Sequence, residues 1–208
     1  MILSPASVSI AASTVLAYFI GGLPFGYWFV LLTAGKDIRT MGSGNIGATN
    51  VHRTLGGKAG AIVLVLDICK GLLAVWLAAM LTRNDPLGLA LSACAVMVGH
   101  CYPVLLHFKG GKAVACFIGA FAYIAPLALA VVLVIFLVVV ALSRHISLGS
   151  IVGALLFPIA VWLIYHPAPP ILAASVFAAL LIVYRHRGNI TRLRQGNEHV
   201  FSLKGKTA

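Results

Sequence analysis

Long apolar runs separated by short polar stretches dominate this chain. Three runs, at residues 8–32, 61–81 and 87–106, reach the length of about 20 residues that a membrane-crossing helix needs. Two more lie at residues 146–165 and 170–184. This pattern predicts an all-α, polytopic membrane protein.

The apolar run at residues 113–142 is too long for one span. As a single helix its 30 residues extend about 45 Å, whereas the hydrocarbon core is roughly 30 Å thick. Because Pro126 breaks a helix, we predict a shorter segment followed by a longer one, and seven hydrophobic helical segments in total. Gly21, Gly22 and Pro24 predict a kink in the first segment.

Composition supports the membrane class. Hydrophobic residues make up 61% of the 208 residues and charged residues only 9%, against about 25% charged in soluble domains. The N-terminal stretch MILSPAS carries no Lys or Arg, and the run after it is too long for a cleaved signal peptide, so we predict a retained first helix. One integral membrane domain is expected to span residues 1–208.

Basic residues concentrate on one set of connections. They are Lys36, Arg39, Arg53, Lys58, Lys109, Lys112, Arg144, Arg185, Arg187, Arg192, Arg194, Lys204 and Lys206. Cytoplasmic loops carry the excess of Lys and Arg, so we predict a cytoplasmic C-terminus and an outside N-terminus. Topology and anionic lipid explain most of the net charge of +11. Nucleic acid is not expected as a partner, because no soluble domain or aromatic platform accompanies the basic residues.

Polar and sulfur-containing residues inside the apolar runs are interpreted as structural. Asp67 and Lys70 are three residues apart on one helix, so they can neutralise each other in lipid. The cysteines form no Cys-x-x-Cys pair, and neither a disulfide nor a metal site is expected from them. They are Cys69, Cys94, Cys101 and Cys116.

The first basic loop contains the segment GSGNIGATNVHR at residues 42–53. Its glycines allow backbone N–H groups to converge on an anion, and its side chains add further donors. We predict a phosphate or carboxylate site formed by Ser43, Gly44, Asn45, Gly47, Thr49, Asn50 and Arg53. No strand precedes the segment, as a dinucleotide site requires, and Ala48 stands where a Walker loop needs lysine. A flexible turn with surface cations is the alternative.

A second segment, GHCYPVLLHFKGGKA, occupies residues 99–113. Gly110 and Gly111 lie between Lys109 and Lys112 before a helix, where unsatisfied N–H groups and the helix dipole favour an anion. A tight turn with interfacial lysines explains the same pattern, and the segment alone leaves both possibilities open. His100 is expected to be buried and hydrogen-bonded rather than catalytic.

A third segment, YRHRGNITRLRQGNE, covers residues 184–198. His186 and Asn189 share one face if the helix continues past Gly188, which makes them the pair best suited to reach a polar substrate. Most of the arginines are expected to form a solvated, lipid-facing patch. Glu198 is expected to tie arginines together rather than to act as a base.

Two serines lie at the start of the run at residues 146–165. We expect Ser147 to cap this helix and Ser150 to point from the first turn toward the cytoplasmic boundary. A serine in this position is more often a cap or a packing contact than a ligand.

The three segments, in this order and on one side of a small polytopic protein, resemble the bacterial acyl-phosphate:glycerol-3-phosphate acyltransferase family over almost the whole chain. The resemblance implies an enzyme of the bacterial inner membrane with a cytoplasm-facing active site. It implies transfer of a fatty acyl group from acyl phosphate to the 1-hydroxyl of glycerol 3-phosphate, giving lysophosphatidic acid for phospholipid biosynthesis. Besides both substrates and membrane lipid, we expect no cofactor and no obligate protein partner.

The same resemblance assigns roles to individual residues. It implies a polar pocket for two phosphorylated substrates, with Lys112, Ser150, His186 and Asn189 as catalytic residues and Ser43 and Arg53 beside them. Gly110 and Gly111 are expected to contact the donor, and Glu198 to be structural.

The chemistry implied by the resemblance needs little acid catalysis, because an acyl phosphate already carries a stable anionic leaving group. Its two anionic substrates repel each other unless cations such as Arg53 and Lys112 neutralise them. We expect direct attack by the glycerol hydroxyl, with substrate phosphate or His186 accepting the proton, in preference to an acyl-Ser150 intermediate. Only the resemblance disfavours acyl-CoA as the donor.

Two other classes of function are possible on the residues alone. A small anion transporter places polar groups near the membrane midplane as well, whereas the polar segments of this chain gather at one boundary. A non-enzymatic lipid-binding scaffold predicts that Lys112→Ala and His186→Ala leave function intact.

Overall fold

The computed structural model describes residues 4–201, and over that range the chain forms ten α-helices and no strand. The helices are α1 (Pro5–Gly21), α2 (Phe25–Ala34), α3 (Ala48–Leu55), α4 (Gly57–Thr82), α5 (Pro86–Cys101), α6 (Val114–Ile124), α7 (Pro126–Ser143), α8 (Ile146–Tyr165), α9 (Pro169–Arg185) and α10 (Arg187–Arg194). Short 3₁₀ turns occupy Ile38–Thr40 and Val104–Leu106. The all-α prediction is confirmed. Residues 1–3 of MILSPAS and the predicted cytoplasmic cations Lys204 and Lys206 lie outside the described range.

Proline marks the first turn of several helices, where a missing N–H group costs nothing. The prolines concerned are Pro5, Pro86, Pro126 and Pro169. At the start of α5, the Asp85 carboxylate also accepts from the N–H groups of Leu87 and Gly88, both at 2.9 Å. These local signals fix where the helices begin.

The predicted kink in the first segment is confirmed, because α1 ends at Gly21 and α2 begins at Phe25. Lys70 donates to the carbonyl of Leu23 in this break, at 2.7 Å. Gly21 is needed for packing, since a Cβ there would collide with the backbone of Val96 on α5. Small residues at such crossings let membrane helices approach closely.

The predicted division of residues 113–142 is also confirmed. α6 ends at Ile124 and α7 begins at Pro126, with lengths of 11 and 18 residues. At 1.5 Å per residue α6 extends only about 16 Å, so it does not cross the hydrocarbon core by itself.

Within residues 4–201, five helical stretches are long and apolar enough to cross a membrane. They are Pro5–Ala34, Gly57–Thr82, Pro86–Leu106, Pro126–Ser143 and Ile146–Tyr165. A sixth is formed if Pro169–Arg185 and Arg187–Arg194, which meet at 56°, count as one bent span. All seven predicted segments are therefore helical, although they differ in length.

The main core lies between the helices α4 to α9, includes Ala17 of α1, and is built on small side chains and a cluster of phenylalanines. The ring centres of Phe117, Phe121 and Phe157 are 4.7–5.2 Å apart. A smaller cluster, which includes Ile46 and Val51, packs α3 and the preceding glycine-rich loop against α2 and α4. This second cluster holds the first polar segment against the bundle.

The predicted ion pair inside the bundle is confirmed. Lys70 Nζ lies 2.7 Å from Asp67 Oδ1, and both side chains are almost fully buried. The pairing leaves this position of α4 close to neutral, which lowers the cost of burying either charge.

Candidate active site

The glycine-rich loop of residues 42–50 folds around the side chain of Asn50. The amide oxygen accepts from the N–H of Ser43 at 2.9 Å, and the amide nitrogen donates to the carbonyls of Met41 at 2.9 Å and Asn45 at 2.8 Å. Asn50 is 2% exposed. The prediction that Asn50 offers its amide to a substrate is therefore wrong, because that amide shapes the loop.

Backbone N–H groups of this loop are also used internally. Gly44 donates to the carbonyl of Met41 and Gly47 to Oδ1 of Asn45, each at 2.9 Å. The predicted convergence of these glycine N–H groups on an anion is therefore wrong. Exposed Ser43 and Thr49 remain at the loop surface. α3 begins immediately after Gly47 without a side-chain cap. The N–H groups of its first turn therefore favour an anion at this end of the loop.

Arg53 projects from α3 and is half-buried. Burial lowers the pKa of its guanidinium, while the neighbouring carboxylate of Glu198 raises it and Arg192 lowers it again. An arginine stays charged despite such a shift. The first polar segment and the end of the chain are therefore electrostatic neighbours.

Lys112 joins the second polar segment to the third. Its Nζ donates to Oδ1 of Asn189 at 2.5 Å. Burial lowers the pKa of the Lys112 ammonium to about 8; Glu198 acts against this shift, and three nearby arginines add to it. The arginines are Arg192, Arg53 and Arg185. Lys112 thus contacts the third segment directly and lies within electrostatic range of Arg53 in the first.

Glu198 anchors the C-terminal side of this cluster. Its Oε1 accepts from Ser147 at 2.8 Å and from the Asn189 amide at 2.6 Å, and its Oε2 accepts from Nε of Arg192 at 2.7 Å. Burial pulls the pKa of the Glu198 carboxyl upward, but these hydrogen bonds outweigh burial and hold the pKa below its ordinary value. Glu198 binds one arginine, as expected, together with two neutral donors that the sequence did not indicate.

The expected role of Ser147 as a helix cap is wrong. His145 occupies the cap position of α8 and makes no side-chain capping bond to the helix, and the Ser147 hydroxyl is directed to Glu198 instead. Ser150, one turn later, is buried and donates to the carbonyl of Ile146 at 2.9 Å. Its hydroxyl proton is therefore held by its own helix.

His186 lies at the break between α9 and α10, so His186 and Asn189 do not lie on one continuous helix as the spacing suggested. Both side chains are nevertheless buried. Nδ1 of His186 is 2.7 Å from the carbonyl oxygen of Ile182. A carbonyl only accepts, so Nδ1 carries the proton, and Nε2 is the acceptor of the neutral ring.

Gly110 and Gly111 have no free N–H groups for an anion. Their N–H groups donate to the carbonyls of Cys101 and His100, at 3.1 and 3.0 Å. Their own carbonyls accept from Arg185, at 2.9 Å to Nη2 and 3.0 Å to Nε. The two glycine N–H groups are thus engaged within the protein, and the predicted anion site at the following helix N-terminus stays a prediction. Arg185 was marked by the sequence only as one of many cations.

His100 is buried as expected, but its expected hydrogen bond is absent at Nδ1 among residues 4–201. That atom lies 3.7 Å from Asp67 Oδ1. Asp67, His100 and Cys116 bring three potential metal-ligand atoms within 4.8 Å of one another. The spacing of the cysteines could not reveal this group. Lys70 already neutralises its carboxylate, so we assign no metal to it.

Apolar helices that end in a half-buried cluster of cations, amides and a histidine define an integral membrane protein with a basic polar site. The model of the glycerol-3-phosphate acyltransferase family matches residues 11–196. The chain belongs to this family and is a membrane acyltransferase.

Curated relatives carry the same family description over nearly their full length. The glycerol-3-phosphate acyltransferase of Desulforamulus reducens is 47% identical over 191 residues, which cover 90% of this chain and 93% of the relative. That of Geobacter sulfurreducens is 42% identical over 188 residues, with 90% and 95% covered.

Two crystal structures have the same fold. Both are of PlsY (YgiH), an integral membrane glycerol 3-phosphate acyltransferase. Its glycerol 3-phosphate form superposes with a TM-score of 0.88 at 36% identity, covering 93% of this chain and 96% of that one. Its lysphosphatidic acid form gives 0.86 at 34% identity, with 94% and 96% covered.

Proposed function

We propose that this protein transfers a fatty acyl group from acyl phosphate to the 1-hydroxyl of glycerol 3-phosphate, releasing phosphate and lysophosphatidic acid. The observation that carries the proposal is the meeting of the three polar segments around Lys112, whose Nζ contacts Asn189. The PlsY structures in glycerol 3-phosphate and lysphosphatidic acid forms support the acceptor and the product. The donor rests on the sequence resemblance.

Arg53 and Lys112 are the groups suited to hold two phosphates close together. Two unit negative charges about 4 Å apart repel by roughly 4 kcal/mol at an effective dielectric constant of 20. Partly buried cations offset this repulsion more effectively than exposed ones, because less water screens them. Ser43 and Thr49, on the exposed surface of the loop, add neutral hydrogen-bond donors for the acceptor phosphate.

Asn189 acts through Lys112. Both ends of its amide are engaged, the oxygen by Lys112 and the nitrogen by Glu198. The arrangement supports a role in which Glu198 orients Asn189 and Asn189 orients the ammonium. Asn189 is thus a positioning residue in this proposal rather than a direct contact of the reacting atoms.

His186 is suited to assist the attacking hydroxyl. The hydroxyl oxygen of glycerol 3-phosphate forms a bond to the acyl carbonyl carbon, and the bond from that carbon to the phosphate oxygen breaks. The hydroxyl proton passes to Nε2 of His186 or to substrate phosphate. The bond from Nδ1 to Ile182 supports His186, because it leaves Nε2 as the acceptor.

Ser150 is less suited to form an acyl intermediate, since its hydroxyl donates to the carbonyl of Ile146. A nucleophilic serine needs a base at its proton. We therefore favour direct transfer, with Ser150 lining the pocket at the start of α8.

The proposal places the site at the cytoplasmic face of the bacterial inner membrane, because the basic loops gather there under the positive-inside rule. The acyl donor then reaches the site from the bilayer, where its chain gains about 0.8 kcal/mol per CH₂.

Purified protein in liposomes with labelled glycerol 3-phosphate tests the proposal, with acyl phosphate and acyl-CoA supplied in parallel. We expect labelled lysophosphatidic acid from acyl phosphate alone, and its loss in folded Lys112→Ala and His186→Ala variants. Product from acyl-CoA alone would transfer the assignment to another donor. Uptake of label without product would favour a transporter.

A further inference from the structure

Arg185 binds the backbone of the loop that carries Lys112. The guanidinium of Arg185 donates through Nη2 to the carbonyl of Gly110 and through Nε to that of Gly111. A planar fork that binds two consecutive carbonyls fixes both the distance and the angle of the peptide it holds. A lysine offers only a point charge in its place.

The opposite side of this loop rests on the end of α5. The N–H groups of the two glycines donate to the carbonyls of His100 and Cys101. A Cβ on Gly111 would collide with the His100 ring, and one on Gly110 would collide with the His100 carbonyl. The loop therefore fits only without side chains, and each backbone N–H and carbonyl group of the pair has a protein partner.

Arg185 is itself held in place. Its guanidinium lies 5.0 Å from the ring centre of Tyr102, in the geometry of a cation–π contact. The carbonyl of Tyr102 accepts from the Tyr18 hydroxyl at 2.8 Å, which ties the contact to α1. The arginine thus joins α1, α5 and α9 at the loop.

Arg185 also directly precedes His186. The last turn of α9 therefore carries both the guanidinium that binds the loop and the neighbouring imidazole. We propose that Arg185 is a positioning residue that sets the ammonium of Lys112 against Asn189 and His186 through the two glycine carbonyls. The expected effect of Arg185 on catalysis rests on the proposed function, whereas its effect on the position of Lys112 does not.

Three variants test this role: Arg185→Gln, which removes the fork, Arg185→Lys, which keeps the charge, and Arg187→Gln as the matched control. Arg187 is exposed two residues away at the start of α10, and its guanidinium contacts Tyr184 near the end of α9. Displacement by about 1 Å can cost on the order of 100-fold in rate, so we expect kcat to fall by about that factor in Arg185→Gln. Arg185→Lys is expected to remain well below wild type, and Arg187→Gln within about twofold of it.

The ionisation of Lys112 separates positioning from a general structural role. Burial, Glu198 and the arginines Arg192, Arg53 and Arg185 set its pKa, and His186 lies in the same electrostatic cluster. Loss of the fork admits water to a loosened loop and raises the pKa of Lys112, and Arg185→Lys isolates this effect because the positive charge stays. In Arg185→Gln the lost charge raises the pKa as well. A variant that merely folds less well leaves that pKa unchanged.

Competitive acetylation of Lys112, measured by mass spectrometry across pH in detergent, reports this ionisation without turnover. We expect an upward shift in Arg185→Lys, a larger one in Arg185→Gln, and no shift in Arg187→Gln. An unshifted pKa of Lys112 in Arg185→Lys, or a kcat of Arg185→Gln within about twofold of wild type, would overturn the proposal. If the wild-type protein makes no product, the proposed acyl transfer is wrong. The acetylation result then still tests whether Arg185 positions Lys112.

Discussion

Lys112 and Asn189, 77 positions apart in the chain, meet in a 2.5 Å hydrogen bond between Nζ and Oδ1. The bond closes the cluster, because Asn189 is in turn held by Glu198 at 2.6 Å. One neutral side chain therefore links the position of the Glu198 carboxylate to the proposed catalytic cation.

Replacing Asn189 with alanine tests that transmission. A hydrogen bond to a charged group contributes about 1.5–3 kcal/mol, and about 1.4 kcal/mol corresponds to a factor of ten in rate. We expect kcat/KM to fall by roughly 10- to 100-fold in steady-state assays. The exposed Asn197 provides the matched control, and Asn197→Ala is expected to stay within about twofold. Equal losses in both variants would contradict the account.

The pH dependence of kcat/KM reports the charge on Lys112. Burial lowers the pKa of Lys112 to about 8. Its side-chain amine is therefore largely protonated at neutral pH and loses the proton as the pH rises through that value. We expect kcat/KM to be level near pH 7 and to fall about tenfold per pH unit well above pH 8.

The variant Lys112→Arg keeps its charge over that range, so any residual activity in it is expected to lack this alkaline decline. An alkaline decline that is identical in Lys112→Arg would assign the titration to another group.

Glu198→Gln tests the anchor of the C-terminal segment. The substitution places an amide N–H group where the structure needs an acceptor for Arg192 or for Ser147 and Asn189. We expect a loss of roughly 1–3 kcal/mol, or about 2–10 °C in melting temperature for a chain of this size, measured in detergent at one scan rate.

This difference between wild type and Glu198→Gln depends on pH in a defined direction. Since the folded pKa of Glu198 lies below its ordinary value of 4.5, its contribution is complete above that value. It is lost as the pH falls through the lowered folded pKa. We expect the two melting curves to converge at acidic pH. A constant difference down to pH 3 would show that the carboxylate charge is not responsible.

Gly111→Ala is expected to reduce activity because the new methyl group meets the His100 ring. The double variant His100→Ala/Gly111→Ala removes that collision, so we expect it to lose less activity than the two single losses combined. Gly57→Ala is the control, because a Cβ there makes only ordinary contacts with His52. Strictly additive losses in the double-mutant cycle would argue against the collision as the cause.

Direct transfer predicts that no acyl-enzyme accumulates. After incubation with acyl phosphate alone, the intact mass of the protein is expected to be unchanged, and a peptide carrying Ser150 unmodified. An ester on Ser150 that glycerol 3-phosphate then discharges would establish the two-step route instead.

The helical framework could be predicted from the sequence because its causes are local. Apolar runs specify membrane helices, Pro126 divides α6 from α7, and the spacing of Asp67 and Lys70 predicts their pairing on one helix. Pro126 also predicts the short α6 as a separate segment.

The hydrogen bonds within the site could not be predicted, because they depend on contacts between segments that are distant in the sequence. Nothing in a glycine-rich motif tells whether its N–H groups face a ligand or the protein, and here Gly44, Gly47, Gly110 and Gly111 all donate internally. Arg185 was likewise indistinguishable from neighbouring cations until its two carbonyl partners were placed beside it.

The most direct test of the account is the sidedness of the three polar segments. Single cysteines at the exposed positions Ser43, Lys109 and Arg187, in a background without the four native cysteines, would be labelled with a membrane-impermeant maleimide in sealed vesicles of known orientation. The account predicts that all three positions react from the cytoplasmic side, and a cysteine at exposed Asn84 only from the other. Reaction of the three positions from opposite sides of the membrane would contradict a single shared site.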